Sequence, residues 1–281
     1  MEKERETDKT FAPLTVIKVG GAVVEDEAQL TRLINDFAAI PGRKVLVHGG
    51  GRRATKVAAA LGIESKMDVY KRQALGIESK MVDGRRITDA DMLEVVTMVY
   101  GGLVNKNIVA RLQAQGVNAL GLTGADIDVI RSHKRPLKNG IDYGFVGDVD
   151  RANGQMLSKL IEEGITPVMA PLTHDGNGNI LNTNADTIAA TTAIALAPFY
   201  DVTLVYCFEK PGVLSNPDDD SSVIVNITRP LFNDLVADGT IAGGMIPKIE
   251  NALDAIGKGV GRVLITKADA IGQEEKGTTI K

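Results

Sequence analysis

Leu14–Gly21 reads LTVIKVGG, a β-branched run that ends on two glycines. It has the form of a buried strand entering a tight turn. Behind it, EAQLTRLINDFAAI sets Leu30, Leu33, Ile34 and Phe37 on one helical face. Lys44–Gly51, KVLVHGGG, repeats the strand and the glycine turn, and RRATKVAAALG supplies the next helix. Strand, glycine turn, helix, and the same again is the grammar of an α/β chain: a parallel sheet covered by helices.

The same grammar continues downstream. VDGRRITDADMLEVVTMVYGGLVNKNIVARLQAQG is a long helical stretch interrupted at Gly101-Gly102, and VNALGLTGAD is another strand with a glycine turn. Residues 131–150 are polar and glycine-rich and read as a hairpin or loop. QMLSKLIEEG, PLFNDLVADG and PKIENALDAIGKG are helices, whereas ITPVMAPL, DVTLVYCF and GRVLITK are strands. No Pro/Ser linker intervenes, so residues 12–281 are expected to form one domain of two lobes, about 12–178 and 179–281, after a short leader at 1–11. One stretch does not fit the grammar. Ala60–Met67, ALGIESKM, returns letter for letter as Ala74–Met81. A repeat seen only twice is no solenoid, and 68–81 is expected to be a recent tandem insertion carried as a surface excursion.

With 24% charged residues and a net charge of −4, the chain has no polyanion-binding character, so nucleic acid is not an expected partner. Cys207 is the sole cysteine, which excludes an internal disulfide and fits a reducing cytoplasm. The charged start MEKERETDKT is not a signal peptide, and no apolar run nears the roughly 20 residues of a membrane helix. His48, His133 and His174 are scattered and make no zinc pattern.

The chemistry concentrates at the turns. HGGGRRA contains G-x-G-x-x-A (Gly49, Gly51, Ala54), formally a dinucleotide fingerprint. A dinucleotide fold needs one such loop, however, and two loops ending adjacent parallel strands surround a ligand at the carboxyl edge of the sheet. Glycines let backbone N–H groups approach an anion; the plain alternative is that they only close turns. Two lysines carry more weight. Lys18 ends a buried strand, where a cation is costly unless it faces an anion. Lys248 follows Pro247 in the first turn of a helix, against the helix dipole. Such breaks of local rules gather at functional sites.

IKVGG, VHGGG, GRRIT, NTNAD and GGMIPK, in that order, resemble the N-acetylglutamate kinases of the amino acid kinase family, from about Thr15 to Ile280. The resemblance implies a three-layer αβα sandwich around a mainly parallel central sheet. The acylated amino acid would bind the N-terminal lobe and ATP the C-terminal lobe. The implied reaction is phosphoryl transfer from ATP, with Mg²⁺ held mainly by the phosphates, to the side-chain carboxylate of N-acetyl-L-glutamate, the second step of arginine synthesis. By the same resemblance Lys18 and Lys248 are the cations on the transferring phosphoryl group, and Asp186 orients both. Gly50 and Gly51 resemble the backbone donors beside the substrate, Arg86 the clamp on its α-carboxylate (with Arg85 a neighbour of no assigned role), and Asn182 the contact to its acyl amide. Gly20 and Gly21, the stretch Glu209, Lys210, Pro211, Gly212, Val213 and Leu214, and the stretch Thr240, Ile241 and Ala242 resemble the nucleotide site. The nucleophile, a carboxylate, is already ionised at pH 7. No general base is needed, and His48 is expected to be structural.

The chain departs from the family in three places. VYCFEKPGVL stands where relatives carry L-[ST]-D-V-x-G-[VI]-L, so Glu209 replaces Asp. The repeat falls between the glycine loop and the arginine clamp. The short leader, unlike the N-terminal helix of arginine-inhibited hexameric relatives, suggests a homodimer without strong arginine feedback. Three rival readings stay open: a kinase for N-succinyl-L-glutamate, a nucleotide sensor without turnover, and a nicotinamide-dependent dehydrogenase built on the fingerprint.

Overall fold

The computed structural model describes residues 11–62, 87–137, 140–273 and 276–281. Residues 63–67 of the first repeat copy, the whole insertion at 68–81, Arg85 and Arg86 lie outside the described residues.

The opening stretch forms β1 (Pro13–Val19), and its glycines lead into a short helix, α1 (Gly21–Glu25). Asp26 separates α1 from α2 (Glu27–Ala39), accepting a hydrogen bond from the Gln29 N–H at 2.8 Å as an N-cap. The predicted stripe Leu30, Leu33, Ile34 and Phe37 is buried. At the other end of α2, Lys44 Nζ donates to Ala38 O and Ile40 O at 2.9 and 2.6 Å, capping the last carbonyls. β2 (Arg43–His48) and α3 (Gly51–Ala60) complete the second unit.

α4 (Ala90–Val96), a π-helical segment (Thr97–Val104) and α5 (Asn105–Ala114) follow. The sequence reading breaks this stretch at Gly101-Gly102. Instead the backbone stays right-handed helical at both junctions, and the glycines fall in the widened π turns. Next come β3 (Ala119–Leu122), the antiparallel pair β4 (Ile130–Lys134) and β5 (Gly147–Ala152), and α6 (Gly154–Glu162). β6 (Thr166–Met169), β7 (Leu172–His174), β8 (Ile180–Asn182), α7 (Ala185–Leu196) and β9 (Asp201–Phe208) follow. The chain closes through β10 (Asn226–Ile227), α8 (Arg229–Ala237), α9 (Met245–Gly257), β11 (Arg262–Lys267) and β12 (Thr278–Ile280). Pro247 is thus the third residue of α9, still within the turn whose N–H groups lack helical partners.

Eight strands form one sheet in the order β10-β12-β11-β9-β1-β2-β6-β3. Every pairing from β11 to β3 is parallel; β12 runs antiparallel to β11. A second sheet, β5-β4-β7-β8, lies to the side. Helices cover both faces of the large sheet, and strand parity sorts the two cores. Leu14, Val16, Leu204 and Tyr206 join the core under α6, α7 and α9; Ile17, Val19, Val205 and Cys207 join the core under α1 to α5.

Candidate active site

Parity places the first candidate. Lys18 continues the row of Leu14 and Val16, so it leaves the sheet on the α7 side, level with Tyr206 of β9. It is 7% exposed, and its Nζ lies 2.7 Å from Asp186 Oδ1. Asp186 is there because Asn184 caps α7: the Asn184 side chain accepts from the N–H groups of Asp186 and Thr187 at 2.8 and 3.2 Å. The cap puts Asp186 in the first turn, where the helix dipole favours a carboxylate. Tyr206 fixes the same turn from below, its hydroxyl donating to Asp186 O at 3.3 Å. A half-buried pair of this kind is weak evidence for stability, because desolvation of Lys18 offsets its attraction.

Lys248 arrives from the opposite direction, on α9. Its Nζ stands 4.0 Å from the centroid of the Phe208 ring, and Lys18 Nζ stands 5.3 Å from the same centroid. Burial holds the Lys248 ammonium below the ordinary lysine range; Asp186 pulls it up, Lys18 pushes it down and Glu209 pulls it up. Lys18, Asp186 and Lys248, the three catalytic candidates, therefore share one electrostatic neighbourhood.

The glycine turns lie against each other. Gly49 N–H donates to Val19 O at 3.0 Å, tying the second turn to the first. A Cβ on Gly49 would stand 2.9 Å from Gly21 N, and one on Gly21 would stand 3.3 Å from Gly50 N. A Cβ on Gly50 would meet Tyr100 Cδ1 at 2.9 Å, so the π-helical segment closes against the same turn. Backbone contacts backbone here with no room for side chains, which leaves exposed peptide groups as the lining.

His48 is fully buried behind this turn. Its Nδ1 sits 2.8 Å from Gly49 O, which only accepts, so Nδ1 carries the proton. Nε2 then accepts from Asn105 Nδ2 at 3.2 Å. Burial lowers its pKa to about 4, keeping the ring neutral. Enclosed and neutral, the ring braces the turn through these two contacts.

Asn182 Nδ2 donates to Thr88 Oγ1 at 2.9 Å in a buried contact, so the last residue of GRRIT and the first of NTNAD touch. Thr88 also meets Gly144, which takes a φ of +69° and whose Cβ would overlap Thr88 O at 2.0 Å.

The nucleotide candidates divide. Phe208 and Glu209 line a cleft of about 430 Å³ together with Ala22, Arg52 and Lys267, and Glu209 reaches back to Arg52 at 3.1 Å. Gly20 and Gly21 open α1 beside it. By contrast, Val213 and Ile241 turn into the core, and the Val213 N–H donates to Thr278 Oγ1. Lys210 is paired with Asp220 at 2.9 Å. Gly212 has no room for a Cβ, which would stand 2.8 Å from Thr278 Oγ1. Leu214 bridges to Val223, Pro211 lines a second cleft of about 490 Å³, and Thr240 N–H donates to Asp238 Oδ1. Ala242 is exposed. Nothing in the sequence marks Phe208, Tyr206 or Tyr100; their place beside Lys18 follows from the register of β9 with β1 and from the packing of Tyr100 on Gly50.

Among the described residues, no three carboxylate, imidazole or thiol groups converge as a metal cage. What converges is two ammonium groups, a carboxylate paired with one of them and a glycine-lined backbone edge, an arrangement suited to concentrated negative charge.

A family model described as the amino acid kinase family matches residues 13–267. The acetylglutamate kinase of Bacteroides thetaiotaomicron is 65% identical over 268 residues, covering 95% of this chain and 98% of its own. That of Phocaeicola vulgatus is 63% identical over the same shares. Among solved structures, smu.665 from Streptococcus mutans UA159 superposes with a TM-score of 0.73 at 29% identity, over 95% of this chain and 98% of its own. Carbamate kinase from Giardia lamblia bound to AMP-PNP shares the fold, with a TM-score of 0.61 at 14% identity over 98% and 99%.

Proposed function

The chain belongs to the amino acid kinase family, and we propose that it transfers the γ-phosphoryl group of ATP to the side-chain carboxylate of N-acetyl-L-glutamate, an acyl-phosphate-forming step of arginine biosynthesis. Identity of 61–65% to acetylglutamate kinases over nearly the whole chain supports the substrate. The observation that carries the chemistry is that the Lys18 and Lys248 ammonium groups meet over one ring while Asp186 pairs with Lys18, beside the glycine turns.

In this reading the attacking carboxylate needs no base, since its pKa lies near 4.3. The barrier is the approach of one anion to another. Lys18 and Lys248 offset it by placing positive charge on the transferring oxygens, and Asp186 holds the lysines without occupying the path. Gly50 and Gly51 present N–H groups, Asn182 meets the acyl amide, and Arg86 takes the α-carboxylate with two parallel hydrogen bonds. Gly20, Gly21, Glu209 to Leu214 and Thr240 to Ala242 serve the nucleotide, the core-facing members among them by shaping its wall. Magnesium comes with the nucleotide's phosphates and neutralises part of their charge. Residues through about 178 carry the acylglutamate lobe and those after it the nucleotide lobe.

The active form is a homodimer. β3 is the outer strand of the large sheet among the described residues, and Leu120 on it is exposed, as are Met98 and Leu103 of the π-helical segment. Lys106 Nζ and Gln113 Nε2 cover the outward carbonyls of Gly121 and Ala119, so the exposed apolar side chains, rather than the backbone edge, are offered as the pairing surface. No helix among the described residues is long and apolar enough to cross a membrane.

A coupled ADP-release assay offering N-acetylglutamate, N-succinylglutamate and glutamate in parallel tests the assignment. Turnover with N-acetylglutamate far above the other two is expected; preference for the succinyl compound would replace the acyl group, and ADP release with none would refute the reading. A thermal shift with ATP-Mg and none with NAD is the accompanying expectation.

A further inference from the structure

We propose that Phe208 is a positioning residue for the transfer, its ring face being the common seat of the Lys18 and Lys248 ammonium groups. The inference rests on the phosphoryl-transfer reading above. The ring is held firmly: it stacks on Tyr206 with centroids 5.9 Å apart and planes 5° from parallel, both side chains leaving β9 on the same face. Lys18 reaches it from β1 at 5.3 Å and Lys248 from α9 at 4.0 Å.

The physical role follows from the nature of that face. Two ammonium groups brought together repel, and burial penalises each further. A second carboxylate beside Asp186 would quiet them, but it would also neutralise the charge that the transferring phosphoryl group needs. An aromatic face attracts a cation through its quadrupole and carries no net charge. It therefore holds both lysines in place before the nucleotide arrives, and gives them up to phosphate oxygens at small cost. Asp186 from α7, Lys18 from β1 and Glu209 after β9 are the charged groups facing Lys248, with Arg52 of α3 tied to Glu209.

Phe208→Leu keeps apolar bulk and removes the π face. It is expected to lower kcat roughly 5- to 30-fold, the range of a partly desolvated cation–π contact, with KM for both substrates changing less. Phe208→Tyr restores kcat to within about threefold of the parent. In the ligand-free protein, the ¹³Cε resonance of Lys248, assigned by its loss in Lys248→Arg, is expected to titrate at lower pH in Phe208→Leu than in the parent, because burial remains while the cation loses its partner. Phe208→Ser, which admits water, is expected to move the same midpoint upward. A kcat for Phe208→Leu within about twofold of the parent, or an unmoved Lys248 midpoint, would overturn the proposal. Should the leucine variant fail to fold, Phe208→Met carries the same comparison. A parent protein without turnover would instead overturn the kinase reading, and the resonance of Lys248 would still report on the ring.

Discussion

At the scale of single residues, the proposed chemistry rests mostly on Lys18 and Lys248. Replacing either with Ala is expected to reduce kcat by roughly 100-fold or more, as for a lost transition-state donor, in the ADP-release assay. Near-normal turnover in either variant would refute the assignment. Burial holds Lys248 below the ordinary lysine range, so its charge is lost as pH rises through that lowered value. The alkaline limb of kcat should therefore fall below the usual lysine titration, and Lys248→Arg should push it upward, because guanidinium stays protonated. His48 sets a different limit. Its folded pKa of about 4 is below the ordinary 6.5. The stability it contributes is complete above pH 6.5 and is lost as pH falls through 4, a change of about 3 kcal/mol. A His48→Gln protein should show a flatter dependence of Tm on pH across that window; an equally steep one would assign acid loss to other groups. The lysines and Asp186 were legible in the sequence because each breaks a local rule or completes a motif. Phe208 was not, since an aromatic residue closing a strand reads as ordinary core.

At the scale of elements, caps and turns explain most of the match between sequence and structure. Asp26, Asp89, Asn153 and Asn184 each accept from the first turn of the helix they open. α2 and its buried stripe were readable from period alone. The π-helical segment was not, because two glycines look like an interruption when only propensity is weighed, and the packing of Tyr100 against Gly50 is non-local. β10 and β12 were missed for a related reason: two and three residues long, they exist only through pairing with distant chain. The Thr88–Gly144 crossing gives this scale its test. Gly144→Ala forces a side chain into left-handed backbone and onto Thr88 O, and should cost at least about 2 kcal/mol in a denaturant melt. An unchanged midpoint would mean that the crossing is loose.

For the whole molecule, the parallel sheet was legible because strand, glycine turn and helix recur; of the side sheet β5-β4-β7-β8, the hairpin reading of 131–150 anticipates the β4–β5 pair, whereas the three-residue β7 was not legible. The assembly prediction belongs here. Leu120→Lys on the outer strand should convert a dimer to a monomer in light-scattering chromatography, and a dimer that persists would move the interface elsewhere. One last feature governs motion. β1 pairs with β2 along one side and with β9 along the other, through almost its full length on both. The two halves thus have a strand in common and cannot swing apart like a clamshell without tearing its ladders. Admission and release must propagate as a change in twist, slight at β1 and magnified toward the rims. In the proposed reaction, the stiffness of those seven residues would govern the entry of both ligands together.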